Sequence, residues 1–279
     1  MNPIGIMQGR LSPAVDGRIQ SFPVETWREE FELARQAGLD CIEWIYETGT
    51  DAINPLGTDE AVAEICRLSD TSGVAVRSIC ADYFMSERLI KPDGALRGEA
   101  VEHLRWLLER ADAMGVRYIV LPFVDSSSLK SPQEIKGLLS MLRSVLPSAE
   151  RVKIELHLET DLPPENLVAI LESIEHLLVR ANYDIGNSAA LGYQPAHELS
   201  LIAPWLGSVH VKDRIKGGHT VPLGSGSADF GTCFHMIGQA GFSGPFILQA
   251  ARESGLSEPD LAMRNREFVE KHLVALTPA

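Results

Sequence analysis

The sequence predicts a single (β/α)8 barrel, on three observations. Short β-rich runs alternate with amphipathic helical stretches from end to end, eight strand–helix units in all. Early helical stretches end in a glycine just before the next apolar run (Gly38, Gly73, Gly115), where a residue tolerant of left-handed backbone is needed. No linker or composition break interrupts the 279 residues, so residues 1–279 read as one domain. A doubly wound open sheet is the alternative. Against it, M-Q-G-R-L follows the first strand where a dinucleotide-binding G-x-G-x-x-G would stand.

The units follow in order. Ile4–Gln8 reads as the first strand, with a polar loop to Ser21 and a helix over Glu25–Ala37 whose apolar positions are Phe31, Ala34 and Ala37. Cys41–Tyr46 and Val74–Cys80 are the second and third strands, followed by helices over Asp59–Ser72 and Leu96–Met114. Val116–Leu121 is the fourth, stopped by Pro122. Ser131-Pro132-Gln133-Glu134 opens the next helix with a capping box and proline in the first turn. The fifth strand spans Val152–Leu158 and its helix Pro164–His176. Val179–Asp184 and Ser208–Lys212 are the sixth and seventh strands. Ala228–Ala240 is the seventh helix, Phe246–Gln249 the eighth strand and Pro259–Leu273 the closing helix.

Composition narrows the function. The net charge is 25 − 38 = −13, which disfavours a nucleic-acid partner because phosphate-backbone binding needs a basic stripe. A small anionic ligand stays open, since a few local Arg and Lys suffice. Cys41, Cys66, Cys80 and Cys233 are scattered without a C-x-x-C, as expected of reduced thiols. Met1–Ile6 has neither a basic nor an apolar leader region, and no apolar run approaches a membrane span. The expected location is cytoplasmic, with no membrane partner.

In such a barrel, chemistry sits at the carboxyl ends of the strands. The polar residues there are Gln8, Arg10, Glu43, Glu47, Asp82, Asp125, Glu159, Asp184, Asn187, His210, Lys212, Asp213, Arg214, Gln249 and Arg252. Several carboxylates beside a histidine and an amide suit a divalent cation. The stretch Val179–Arg214 organises the set. Alternation puts Asn182 and Asp184 on one strand face, and Ser208, His210 and Lys212 on one face of the next, so Asp184 and His210 reach the same end of the sheet. Glu155, His157 and Glu159 share the inward face of the fifth strand. Glu159 is nearest the carboxyl end and is the preferred functional carboxylate, with Glu155 the alternative. Trp44, Tyr46 and Phe84 are sugar-stacking candidates whose other reading is core packing. Arg214 with the Gly-rich segment Gly217–Ser227 reads as an anion-binding loop or as mobile surface.

The motifs L-E-T-D, N-Y-D-I-G-N-S-A-A-L-G, V-H-V-K-D-R, V-P-L-G-S-G-S-A-D-F and G-P-F-I-L-Q resemble the sugar phosphate isomerase/epimerase family with the xylose isomerase-like TIM barrel. Within it, the nearest resemblance is to L-ribulose-5-phosphate 3-epimerase-like proteins. The resemblance implies one divalent metal ion (Mn2+, Zn2+ or Mg2+) held by residues that fall here on Glu159, Asp184, His210 and Gln249. Gln249 stands where the family carries a glutamate, and it cannot act as a base. Asn187 stands where many relatives carry a substrate-contacting histidine. The implied reaction is proton transfer through a metal-stabilised enediolate on a small sugar or sugar phosphate. Glu159 and Lys212 are the expected catalytic residues, and Asn187, Arg214, Glu43, Asp82 and Arg252 the expected substrate contacts. With position 249 neutral, Glu43 and Asp82 are the candidates for a second carboxylate. A metal-dependent dehydratase of a keto-polyol and a non-catalytic sugar-binding barrel are the alternatives. The superfamily's metal-dependent endonucleases would need more histidine ligands for a multi-metal site and a basic face, against 8 histidines in all and a net charge of −13 here. The oligomeric state stays open, a homo-oligomer included.

Overall fold

The computed structural model describes residues 2–274, so Met1 and the last five positions of the predicted domain lie outside the described residues. The elements in chain order are β1 Ile4–Met7, α1 Glu29–Gln36, β2 Cys41–Ile45, α2 Asp59–Ser72, β3 Ala75–Cys80, α3 Tyr83–Ser86 and α4 Gly98–Ala113. Then come β4 Tyr118–Phe123, α5 Pro132–Val152, β5 Glu155–Thr160, α6 Pro164–Ile174, β6 Val179–Asp184, α7 Ile185–Leu191 and α8 Pro195–Ile202. The chain finishes with β7 Leu206–Val211, β8 Asp213–Arg214, β9 Thr220–Val221, α9 Phe230–Gln239, β10 Phe246–Leu248 and α10 Glu258–Val274. Eight of the strands close into a parallel barrel in the order β1-β10-β7-β6-β5-β4-β3-β2. The predicted barrel is the observed one. The remaining pair, β8 and β9, is a small antiparallel hairpin after β7. No described helix is long and apolar enough to cross a membrane.

The first helix begins at Glu29 and not at Glu25, several other ends shift by a residue or two, and two shifts involve prolines. Pro122 does not stop the fourth strand but lies inside β4, opposite Glu159. Val120 presents its carbonyl to Ala81 just past the end of β3, so two residues on Pro122 faces a neighbour that has already ended. Its missing N–H therefore leaves no ladder bond broken. The fifth strand begins at Glu155 and not at Val152, because α5 runs through Pro147 to Val152. Leu138, Met141, Leu142, Val145, Leu146 and Ala149 form a buried stripe at helical spacing, and that packing outweighs the proline. Lys153, at φ 57°, then reverses the chain into the strand.

Apolar side chains such as Ile119, Leu156, Ala181 and Val209 fill the layer between sheet and helices. The barrel interior is more polar than the aliphatic layers usual for this architecture. Tyr118 stacks on His157 with ring centroids 4.2 Å apart. His157 Nε2 meets Glu155 Oε2 at 2.8 Å, and its Nδ1 meets Ser208 Oγ at 2.9 Å. Burial holds the His157 pKa below its ordinary value despite Glu155, so the ring is neutral. A neutral ring donates from Nε2 to the carboxylate and accepts the Ser208 hydroxyl at Nδ1. Ser208 Oγ then accepts from Asn182 Nδ2 at 2.8 Å. This chain occupies the lower barrel, so Glu155 is a floor residue and Glu159 is the one that reaches the top.

Candidate metal centre and active-site cavity

Three strand ends converge at the top of the barrel. Glu159 is the fifth residue of β5, Asp184 the last of β6 and His210 the fifth of β7. One ligand atom from each lies within 4.8 Å of the others, and all three residues are buried. Asp184 is also the N-cap of α7, and its Oδ1 accepts the Asn187 N–H at 2.8 Å. Lys212 Nζ donates to Asp184 Oδ2 at 2.7 Å. Asn187 Nδ2 donates to Glu159 Oε1 at 2.7 Å.

His210 is oriented from behind. Its Nε2 donates to Glu43 Oε1 at 2.7 Å, and Ser78 Oγ donates to Glu43 Oε2 at 2.6 Å. That bond turns Nδ1 toward Glu159 Oε2 at 3.8 Å and Asp184 Oδ2 at 3.9 Å. Those separations are too long for hydrogen bonds. They are the size expected between two donors that each lie ~2 Å from one ion. His210 Nδ1 and Gln249 Oε1 are both buried without a hydrogen-bond partner. A buried polar atom left unpaired is costly, and a cation would satisfy both. Two carboxylates, an imidazole nitrogen and an amide oxygen are a donor set that fits a divalent cation. Glu43 supplies the outer carboxylate that fixes the imidazole's orientation.

The charges are strongly coupled. Burial raises the Glu159 carboxyl to about 7, although His210 and Lys212 pull it down. Burial would raise Asp184 too, but Lys212 and His210 hold it below the usual carboxylate range. Burial opposes a charged His210, yet Glu43, Glu159 and Asp184 outweigh it and lift the imidazole to about 9.

Above the trio opens a cavity of about 500 Å3, with Glu159, Lys212, Asn187, Arg214, Asp82 and Gln249 in its wall. Arg214 Nη1 donates to Asn187 Oδ1 at 2.9 Å. Asp82 Oδ2 accepts from Gln20 Nε2 at 2.7 Å, and Gln20 Oε1 accepts from Arg10 Nη2 at 3.1 Å. Burial raises the Asp82 carboxyl above its ordinary value.

Two expected substrate contacts lie outside the cavity wall. Glu43 is fully buried and hydrogen-bonded to His210, outside the cavity wall, where it orients the histidine. Arg252 is spent on the chain itself. It donates to Gly9 O at 2.6 Å, Ser12 O at 2.8 Å and Glu258 Oε1 at 2.9 Å. Trp44, Tyr46 and Phe84 take the core reading, all at most 2% exposed. The Gly-rich segment is also committed internally. Asp213 Oδ2 accepts from Gly224 N at 2.9 Å and Gly226 N at 2.8 Å, and Oδ1 from Ala228 N at 3.1 Å. A Cβ at Gly226 would sit 2.2 Å from Asp213 Oδ1, so glycine is required there. Of the loop, Arg214, His219 and Thr220 reach the cavity. Sequence reasoning passed over Gln20, which lies in a loop without periodicity, and did not single out His219 and Thr220 within the Gly217–Ser227 segment.

A family model described as the xylose isomerase-like TIM barrel matches residues 31–272. The chain belongs to that family. The L-ribulose-5-phosphate 3-epimerase UlaE of Escherichia coli (strain SMS-3-5 / SECEC) is 26% identical to it over 258 residues, covering 89% of this chain and 90% of that protein. Among solved structures, an L-ribulose 3-epimerase superposes with a TM-score of 0.75 at 17% identity, covering 99% of this chain and 96% of that one. The IOLI protein with a bound zinc atom superposes with a TM-score of 0.78 at 14% identity, covering 99% of this chain and 100% of that one. At those identities the two structural likenesses speak to the shared barrel.

Proposed function

We propose that this xylose isomerase-like barrel is a divalent-metal-dependent epimerase or isomerase of a small sugar or sugar phosphate. The observation that carries the reading is the buried trio Glu159, Asp184 and His210 beneath a cavity of about 500 Å3. That volume suits a single small metabolite. A relative matched over nearly its whole length is named as an epimerase of L-ribulose 5-phosphate, which supports the substrate class. Glu159, Asp184, His210 and Gln249 would hold the ion. When bound, it supplies Lewis acidity at the oxygens beside the reacting carbon.

The chain's own groups handle the proton. A buried carboxyl near 7 is matched to taking a proton from carbon beside a carbonyl at neutral pH. The Asn187 amide holds Glu159 in place, and Lys212 offers an ammonium at the cavity wall. Inversion needs a second group on the other face of the carbon. Gln249 has no proton-accepting carboxylate, and Glu43 lies behind His210. We assign that role to Asp82, the buried carboxyl in the same cavity. Arg214, with His219 and Thr220, is suited to the distal phosphate.

Turnover of a ketose and ketose-phosphate panel with Mn2+ in D2O tests the assignment. The wild type should invert or isomerise one substrate with solvent deuterium at the reacting carbon. Glu159→Gln should lose ~10²–10⁴-fold in kcat, the usual worth of a positioned base. Asp82→Asn should still exchange the proton but fail to invert. Full metal loading with neither turnover nor exchange would leave only a sugar-binding barrel, and release of water would make it a dehydratase.

A further inference from the structure

The opposite end of the barrel holds a second cavity, of about 490 Å3, whose wall includes Arg77, Arg117, Arg180, Tyr118, Glu155 and Ser243. It is comparable in volume to the upper one and lies at the strand amino ends. The barrel ladder builds its wall. The Arg117 N–H donates to Arg77 O at 3.0 Å, and the Glu155 N–H donates to Arg117 O at 3.0 Å. One strand further, Arg180 stands in register with His157. Three guanidiniums and one carboxylate are thus gathered from four adjacent strands.

The charges there do not balance. Glu155 is already engaged by His157 Nε2 at 2.8 Å and lies 3.8 Å from Arg180 Nε. Arg180 also donates from Nη2 to Leu206 O at 3.0 Å. Among the described residues neither Arg77 nor Arg117 forms an ion pair, and Arg77 Nε is buried with no hydrogen-bond partner. Two uncompensated cations share one concavity in a chain of net charge −13. Helix dipoles do not explain an attraction for anions there. The carboxyl end of α9, at Ala240, borders the cavity and carries partial negative charge. The guanidiniums alone must supply it, and their planar fork suits a tetrahedral oxyanion.

We propose that this floor cavity binds a small phosphate dianion, either free or as the phosphate of a metabolite, through Arg77 and Arg117 with Arg180 at the side. The inference stands apart from the chemistry assigned to the upper cavity. Calorimetric titration of inorganic phosphate and of glycerol phosphate tests it, using Arg214→Ala protein so that the upper cavity contributes least. One equivalent per chain should bind saturably, weakening as salt rises. Arg117→Gln or Arg77→Gln in the same background should weaken it at least tenfold, with metal content unchanged. Arg117 is exposed, so its variant keeps the test open if Arg77→Gln does not fold. Tighter binding of the ester would identify a metabolite phosphate, and equal or weaker binding the free ion. No saturable binding in the Arg214→Ala protein, or binding untouched by both arginine changes, would overturn the proposal.

Discussion

Gln249 would set the charge of the proposed metal centre. With an amide at the end of the eighth barrel strand, the donor set carries two carboxylates, Glu159 and Asp184, beside His210. A divalent ion held there keeps more of its charge for the substrate but is bound less tightly. Gln249→Glu should therefore tighten Mn2+ binding by at least about tenfold, a modest value for one added charge at contact distance in a partly buried site. Asp184→Asn should remove stoichiometric uptake while leaving the circular dichroism spectrum intact. Metal titration of chelator-stripped protein measures both. Unchanged affinity in Gln249→Glu, or normal metal content in Asp184→Asn, would contradict this ligand set.

At the scale of elements, α1 and the loop after β1 are joined by one carboxyl. Glu30, 1% exposed on α1, accepts from the Gly9 N–H at 3.0 Å, the Leu11 N–H at 3.2 Å and Ser12 Oγ at 2.8 Å. Arg252 grips the same loop through Gly9 O and Ser12 O. Burial raises the Glu30 carboxyl from 4.5 to about 7, against the pull of those hydrogen bonds. A raised folded-state pKa means the folded protein binds the extra proton. The stabilisation is fully present below about 4.5 and is lost as pH rises through about 7. Roughly 3 kcal/mol separates the two limits at 1.36 kcal/mol per pKa unit. Glu30→Gln, permanently neutral, should flatten the fall of the urea midpoint between pH 5 and 7.5. It should also lower stability at pH 5, because the amide NH2 faces donors. A wild-type midpoint that rises over that interval while the variant stays flat would refute the sign.

Across the whole molecule, the proposed metal centre would couple metal uptake to protons. Strands β2, β5, β6 and β7 bring Glu43, Glu159, Asp184 and His210 together, and the three carboxylates keep the imidazole protonated up to about 9. An imidazolium has no lone pair to offer, so metal binding must release a proton. Proton and metal compete, and affinity should therefore rise with pH, by about tenfold per unit between pH 7 and 9 for one released proton. Competition with a chelator of known affinity at successive pH values measures this slope. A flat profile would mean that His210 is neutral beforehand or is not a ligand.

The barrel and the meeting of Glu159, Asp184 and His210 at one end of it were legible from the chain alone, because both rest on local pattern. Alternation of two and of 3.6 residues marks strands and helices, and glycine or a capping box marks their ends. Once a barrel is inferred, the last inward residue of a strand points into the site, which is how Glu159, Asp184 and His210 are found. The proline-based boundary failed at Pro122 because the cost of a proline depends on neighbours that only the assembled barrel supplies. Glu43 and Arg252 sit at site-like positions, but the fold turns one behind His210 and commits the other to backbone carbonyls. The L-G-S-G-S segment has the composition of an anion loop, yet its N–H groups close around Asp213, a contact between residues 11 to 15 apart in sequence. Gln20, His219 and the floor arginines acquire meaning only when distant loops and strand starts meet. Residue type and period determine which groups can serve; which partner each one meets is decided by long-range packing, and that decision separates a ligand from a scaffold.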